Sequence, residues 1–252
     1  MEKEIIIDSH SHFGPSLSLG IEVTTSELIS QMRGSGVSFV VIIPFPSTAI
    51  ASNEINVRTL EESKRVKAFI PYHYIREEFD KEDFNPIPHG YYGAKWHWMR
   101  GRQDFVSNYS VLNEEKLASL IEKVRLTGKP LLFEEELRFT EMFVDMAKDL
   151  NIIIPHLGLL GGNPSDFLNA FRKRENVYFD TSLAEEKTIY EFCKKIGPHR
   201  ILFGSDVPFG NMRGELKKIM ALPFSSEERS LLLYENFLRL TNYEVEKYEK
   251  DC

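Results

Sequence analysis

The chain has 252 residues, 42% of them hydrophobic, with a formal net charge of -7 and a pI of about 5.6. That is enough apolar material for one sizeable core, and the acidic balance argues against binding driven by phosphate neutralisation, so no nucleic-acid partner is expected. The two cysteines, Cys193 and Cys252, make neither a CxxC pair nor a disulfide framework, which points to a reducing, cytoplasmic setting. The opening MEKEIIIDSHSHFG has no long apolar run and no small-residue cleavage site, so it does not read as a signal peptide. No stretch approaches the ~20 apolar residues that span a bilayer, and no membrane association is expected.

Short apolar runs alternate with helix-like segments from end to end. Glu4–Asp8 is a β-branched run, and Ser26–Gly34 has apolar residues at helical spacing and stops at glycine. Val37–Pro44 is almost wholly apolar, as a strand covered on both faces should be, and is followed by an amphipathic helix over Asn53–Arg65. Val66–Tyr72 and Tyr92–Trp98 read as the next strands, separated by the polar, proline-containing loop Glu77–His89. The second half repeats the rhythm: a helix over Asn113–Thr127, a strand over Pro130–Glu134, a helix over Thr140–Leu150, a strand over Ile152–His156, and a helix from about Pro164. Then come a strand over Asn176–Asp180, a helix over Glu185–Ile196, a strand over Arg200–Gly204 and a helical tail over Ser226–Leu240. Eight strands alternating with helices predict a parallel sheet, and eight units in about 250 residues predict one closed (β/α)₈ TIM barrel occupying the whole chain. An open, doubly wound sheet is the weaker alternative, because no GxGxxG turn follows the first strand.

In such a barrel the strand ends share one rim, and the chemistry-bearing residues fall there. His10 and His12 follow the first strand two residues apart, so their imidazoles can face the same way and ligate one divalent ion. Asp206 follows the last strand in RILFGSDVPF; it is either a ligand and proton acceptor or a loop Asp bonded to nearby N–H groups. His156 leaves the apolar IIIP into a Gly-rich turn, placed to reach a cavity or to donate to a buried carbonyl. In GAKWHWMRGR, Lys95 and His97 alternate with Trp96 and Trp98, so one pair points inward. An inward Lys95 and His97, with Arg100 and Arg102, would suit an anionic substrate, although the arginines fit a solvated loop equally well.

Together these segments resemble the amidohydrolase superfamily, in its amidohydrolase-related branch with the aminocarboxymuconate-semialdehyde decarboxylase-like enzymes. The resemblance runs through IIIDSHSHFG, MRGSGVSFVVIIPFP, GAKWHW, KPLLFE, IIIPHLG and RILFGSDVPF to LLLYENFLRL, with its Asn236. It implies that His10 and His12 are metal ligands, that Asp206 is ligand and proton acceptor, and that His156 binds metal or polarises water and substrate. One departure stands out: where the family's fifth strand ends in His, this chain has Glu134. Glu134 is therefore a carboxylate ligand, a general base, or a surface glutamate if the register is shifted by one. The implied cofactor is zinc, with manganese or iron as alternatives, as one ion or as two bridged by a carbamylated Lys95. The implied activity is hydrolysis of an amide, lactone or ester of a small polar, anionic molecule. The alternatives are non-oxidative decarboxylation, a TatD-like phosphoesterase or nuclease, and a non-catalytic barrel. A homo-oligomer is compatible with all of them.

Overall fold

The computed structural model describes residues 5–45, 54–75, 84–97, 107–113 and 115–245. Eight parallel strands form the barrel wall: β1 (Ile7–Asp8), β4 (Phe39–Pro44), β5 (Phe69–Tyr74), β6 (Gly93–Trp96), β7 (Leu131–Phe133), β8 (Ile152–Ile154), β9 (Val177–Asp180) and β10 (Ile201–Leu202). Each pairs with its neighbour in chain order. The ring closes where the Ser9 N–H donates to the Phe203 carbonyl at 2.9 Å and Ser11 bridges Val207 in parallel. All eight predicted strands are present, most of them shorter than predicted. Between β1 and β4 lie two strands the sequence reading did not contain, β2 (His12–Ser16) and β3 (Ile21–Val23), which form an antiparallel hairpin at the rim.

The pleat sorts the apolar residues into two layers. Along β4, Phe39, Val41 and Ile43 face the barrel interior, while Val40 and Ile42 face the helices. The interior of the barrel is closed below by Phe237, Leu240 and Tyr243 near the end of the chain. Here Tyr72 stacks on Phe237 at 6.4 Å and fills so much space that a Cβ on Gly93 would come within 2.5 Å of its ring. Glycine is the residue that lets β6 pass this ring.

The helices are α1 (Thr25–Ser35), α2 (Glu54–Arg65), α3 (Glu115–Thr127), α4 (Leu137–Met146), α5 (Pro164–Phe171), α6 (Glu186–Ile196), α7 (Met212–Ala221), α8 (Ser226–Ser230) and α9 (Asn236–Thr241). The helix predicted over Thr140–Leu150 begins and ends earlier, as α4. Its first turn is satisfied by a tertiary contact, Leu137 N–H to the Gly161 carbonyl at 3.1 Å, and Ala147 leaves helical geometry at φ -107°, ψ 44°. The sequence reading lacked α7, and the predicted helical tail is α8 and α9 joined by a π turn over Leu231–Glu235. Asn236 ties that tail to the last strand, its Nδ2 donating to the Pro198 and Ile201 carbonyls, both at 2.7 Å. Among the described residues no helix is long and apolar enough to cross a membrane.

Candidate active site

On three strands the next inward position beyond an interior apolar residue is charged. Leu132 is followed by Glu134, Tyr178 by Asp180, and Gly93 by Lys95. The same two-residue step that buries the interior chain therefore carries one charged group per strand to the upper rim. His10 and His12 arrive from β1 and β2, His156 from the turn after β8, and Asp206 from the loop after β10. His10, His156, Asp206, Lys95 and Asp180 are all 3% exposed or less.

Their polar atoms converge. Asp206 Oδ1 lies 3.3 Å from His12 Nε2 and 3.5 Å from His10 Nε2, and Asp206 Oδ2 is 3.8 Å from His156 Nε2. Lys95 Nζ stands 3.3 Å from His10 Nε2 and 2.9 Å from Glu134 Oε2. Glu134 Oε1 is 3.7 Å from His156 Nε2. Three nitrogens and a carboxylate thus face one point, and Asp206 Oδ1 is buried there without a hydrogen-bond partner. His10, His12 and Asp206 each offer a ligand atom, all within 4.8 Å of one another. An orphaned carboxylate oxygen between imidazole nitrogens is what a divalent cation would complete, and neutral imidazole with carboxylate suits zinc, manganese or iron. The residues present fit the ion.

A second set of contacts fixes the imidazoles. His10 Nδ1 donates to Asp180 Oδ2 at 2.9 Å, which leaves its Nε2 lone pair facing the cluster. The Ser182 hydroxyl donates to Asp180 Oδ1 and so accepts from His156 Nδ1, 2.8 Å away. Asp180 Oδ1 also receives the His156 backbone N–H at 3.1 Å. One carboxylate therefore orients two histidines, one directly and one through a serine. On the other side, His12 stacks on Phe45 at 4.4 Å and 8°, with Phe209 edge-on at 5.8 Å.

The backbone at these positions is unusual. Of the five non-glycine residues with positive φ among those described, four lie in the site's loops: His156 at 55°, Leu157 at 53°, Leu183 at 59° and Asp206 at 53°. Each costs about 1–2 kcal/mol relative to right-handed backbone. Tertiary bonds hold such positions there, including Asp206 N–H to the His10 carbonyl at 2.7 Å.

The charges are sharply sorted. Burial and the Lys95 charge push His12 down to about 4, so it is a neutral imidazole at neutral pH. Burial opposes ionisation of Asp206, but His10, His12 and His156 outweigh it and hold the carboxyl at about 2. Glu134 behaves likewise: burial raises it, yet Lys95, His97 and His156 carry it well below the usual carboxylate range. Burial and Lys95 press His10 downward, and Asp180 and Asp206 overcome both to raise it. Burial raises Asp8 to about 7 although Ser205 and the His10 N–H hydrogen-bond to it.

Of the residues singled out from sequence, His10, His12, His156, Asp206, Lys95 and Glu134 meet in one cluster. Glu134 is not a surface residue; its side chain is 13% exposed and turned inward. Lys95 is the inward partner of the alternating pair, and Trp96 packs outward on Phe133 and Phe143. His97 lies at the edge, its Nδ1 donating to the Glu134 carbonyl at 2.6 Å. Trp98, Arg100 and Arg102 lie outside the described residues, as does Cys252. The sequence reading missed Asp180 and Ser182, although an Asp closing a barrel strand was the available signal.

A family model described as Amidohydrolase matches residues 137–240. No curated protein matches the chain by sequence. Among solved structures, 2,6-dihydroxybenzoate decarboxylase from Rhizobium superposes with a TM-score of 0.73 at 16% identity, covering 95% of this chain and 99% of that one. An amidohydrolase from Burkholderia multivorans with bound zinc gives 0.74 at 15% identity, covering 95% and 100%. A putative 2-pyrone-4,6-dicarboxylic acid hydrolase from Pseudomonas putida gives 0.73 at 17% identity, covering 96% and 99%. The family match bears out the likeness to amidohydrolases carried by the motifs over residues 137–240, and the superpositions show a shared barrel over nearly the whole chain.

Proposed function

We propose that the chain is a metal-dependent hydrolase that opens an amide, lactone or ester bond of a small anionic molecule. The observation that carries this reading is the convergence of His10 Nε2 and His12 Nε2 on the orphaned Asp206 Oδ1, within 3.5 Å. His10, His12 and Asp206, with His156, are the residues that would hold the ion. A divalent cation bound there supplies Lewis acidity to water and to the scissile carbonyl. Zinc is the ion favoured by the histidine-rich donor set, and the bound zinc in the Burkholderia amidohydrolase is consistent with it.

The chain's own groups do the rest. Asp206, anionic at neutral pH, takes the proton of the attacking water on its carboxylate and passes it to the leaving group. His156, with Nδ1 donating to Ser182, turns its Nε2 lone pair to the same space as a further donor to the ion. Lys95 Nζ presents a positive charge at the rim of the cluster and orients an anionic group of the substrate. Phe45 and Phe209 wall one side of His12 and keep bulk water from it.

Decarboxylation is the second reading, supported by the fold shared with the Rhizobium decarboxylase and by a lysine placed to receive a carboxylate. The test is metal analysis of the purified protein, followed by a panel of lactones, esters and amides of small acids, with carbon dioxide release assayed alongside. Hydrolysis that needs the divalent ion is expected. Carbon dioxide release without hydrolysis would move the assignment to the second reading. A protein that retains no divalent ion and turns over nothing would overturn both.

A further inference from the structure

We infer that Lys95 and Glu134 form a resident ion pair in the place a second cation would occupy, so that the site takes one divalent ion and Lys95 works as an uncarbamylated ammonium. This deepens the metal-dependent reading and rests on it.

The argument begins with donors. A second ion would need a carboxylate beyond Asp206 that faces the cluster. Asp180 is consumed, because its oxygens take His10 Nδ1, the Ser182 hydroxyl and the His156 and Ser182 N–H groups. Asp8 is consumed too, by the Ser205 N–H and hydroxyl and the His10 N–H. Glu134 remains, and its Oε2 already holds Lys95 Nζ at 2.9 Å. The same ammonium is 3.3 Å from His10 Nε2, so it stands between Glu134 and a residue that would hold the first ion.

The pair also explains the departure at the fifth strand: a histidine at position 134 would leave Lys95 without a counter-ion. Carbamylation would turn that ammonium into another anion facing Glu134.

The test uses the full chain dialysed against manganese(II) or zinc(II) chloride, with and without bicarbonate. Ions per chain are counted by elemental analysis, and the intact mass is read by native mass spectrometry. The wild type is expected to hold one ion and to show no carbamate on Lys95, even with bicarbonate. Lys95→Ala, or Lys95→Met if the first folds poorly, is expected to rise to two ions, and adding Glu134→Gln to return it to one. Two ions or a carbamate in the wild type would overturn the pair while leaving the metal-dependent reading intact. A Lys95 variant that folds and stays at one ion would overturn it as well. A wild type that holds no ion at any concentration would instead sink the metal-dependent reading itself.

Discussion

The two ends of the barrel interior are built by the same strands and obey opposite rules. At the lower end Ile7, Val41, Ile70, Leu132, Ile153 and Leu202 pack with Tyr72 on Phe237, Leu240 and Tyr243. About 7 Å further along β7, one inward step from Leu132, stands Glu134, and by then the lining is charged. The lower end contributes stability through apolar burial and close packing. The upper end spends stability on buried carboxylates, an ammonium and left-handed backbone, and it is built on the close-packed layer below. The two ends should therefore respond differently to substitution.

The largest effect is expected above. Asp206→Asn should lower turnover by about 10²–10⁴-fold, lower the retained divalent ion and lower the thermal stability of the ion-free protein at neutral pH, because the imidazoles around Asp206 hold its carboxyl ionised at about 2. Elemental analysis, steady-state kinetics and a melting curve check all three. Unchanged ion content and turnover would break the comparison at its functional end.

The converse change lies below. Phe237 is 2% exposed and stacks on Tyr72. Phe237→Ala should cost about 3–5 kcal/mol in chemical denaturation, while the ions bound per folded chain stay as in the wild type. If the loss of Phe237 empties the metal site of the folded protein, the two ends are not separable.

A third layer, outside the wall, supplies a pH test free of the metal site. His73 on β5 is 2% exposed, packed against Tyr91 at 5.1 Å, with Nδ1 donating to the Pro86 carbonyl at 2.8 Å and Nε2 buried without a partner. Burial pushes its pKa from 6.5 down to about 4, against the opposing Pro86 bond. The unfolded chain therefore binds this proton more tightly. The stability His73 contributes is complete above pH 6.5 and is lost as pH falls toward about 4, by up to ~3 kcal/mol. Unfolding free energies of wild type and His73→Phe, compared between pH 7 and 4.5, should show the shallower acid loss in the variant. Parallel curves would show that His73 does not titrate this way.

The wall and the candidate ligands were legible in sequence because both depend on local order. Strands such as Phe39–Pro44 announce themselves as apolar runs, and His10 and His12 sit in a short motif at a strand end. What was not legible depends on partners distant in the chain. The role of Glu134 is set by Lys95, 39 positions earlier, and the role of Asp180 by His10, 170 positions earlier. The β2–β3 hairpin was hidden because Gly14, Pro15 and Gly20 punctuate strands of five and three residues. For α7 the signal was present and unread: Asn211 caps it, accepting from the Gly214 N–H at 2.8 Å, and Met212, Leu216 and Ile219 recur at helical spacing.

The finest test asks whether Asp180 orients the histidines or merely packs among them. Its Oδ2 holds His10 directly and its Oδ1 holds His156 through Ser182, so two substitutions should separate by degree. Asp180→Asn disturbs both imidazoles, whereas Ser182→Ala removes the hydroxyl 2.8 Å from His156 Nδ1 and leaves it the Ser182 carbonyl at 3.3 Å. Outer partners of this kind are worth about 10–100-fold in metal affinity. Chelator competition with zinc should therefore place Asp180→Asn near the upper end of that range and Ser182→Ala near the lower. Nitrogen chemical shifts of the ion-free protein should show Nδ1–H on His10 and His156 in the wild type, with His156 moved more than His10 in Ser182→Ala. A packing role would lower stability without moving either tautomer. Equal affinities and unmoved tautomers in both variants would show that the imidazoles are set by the barrel wall alone.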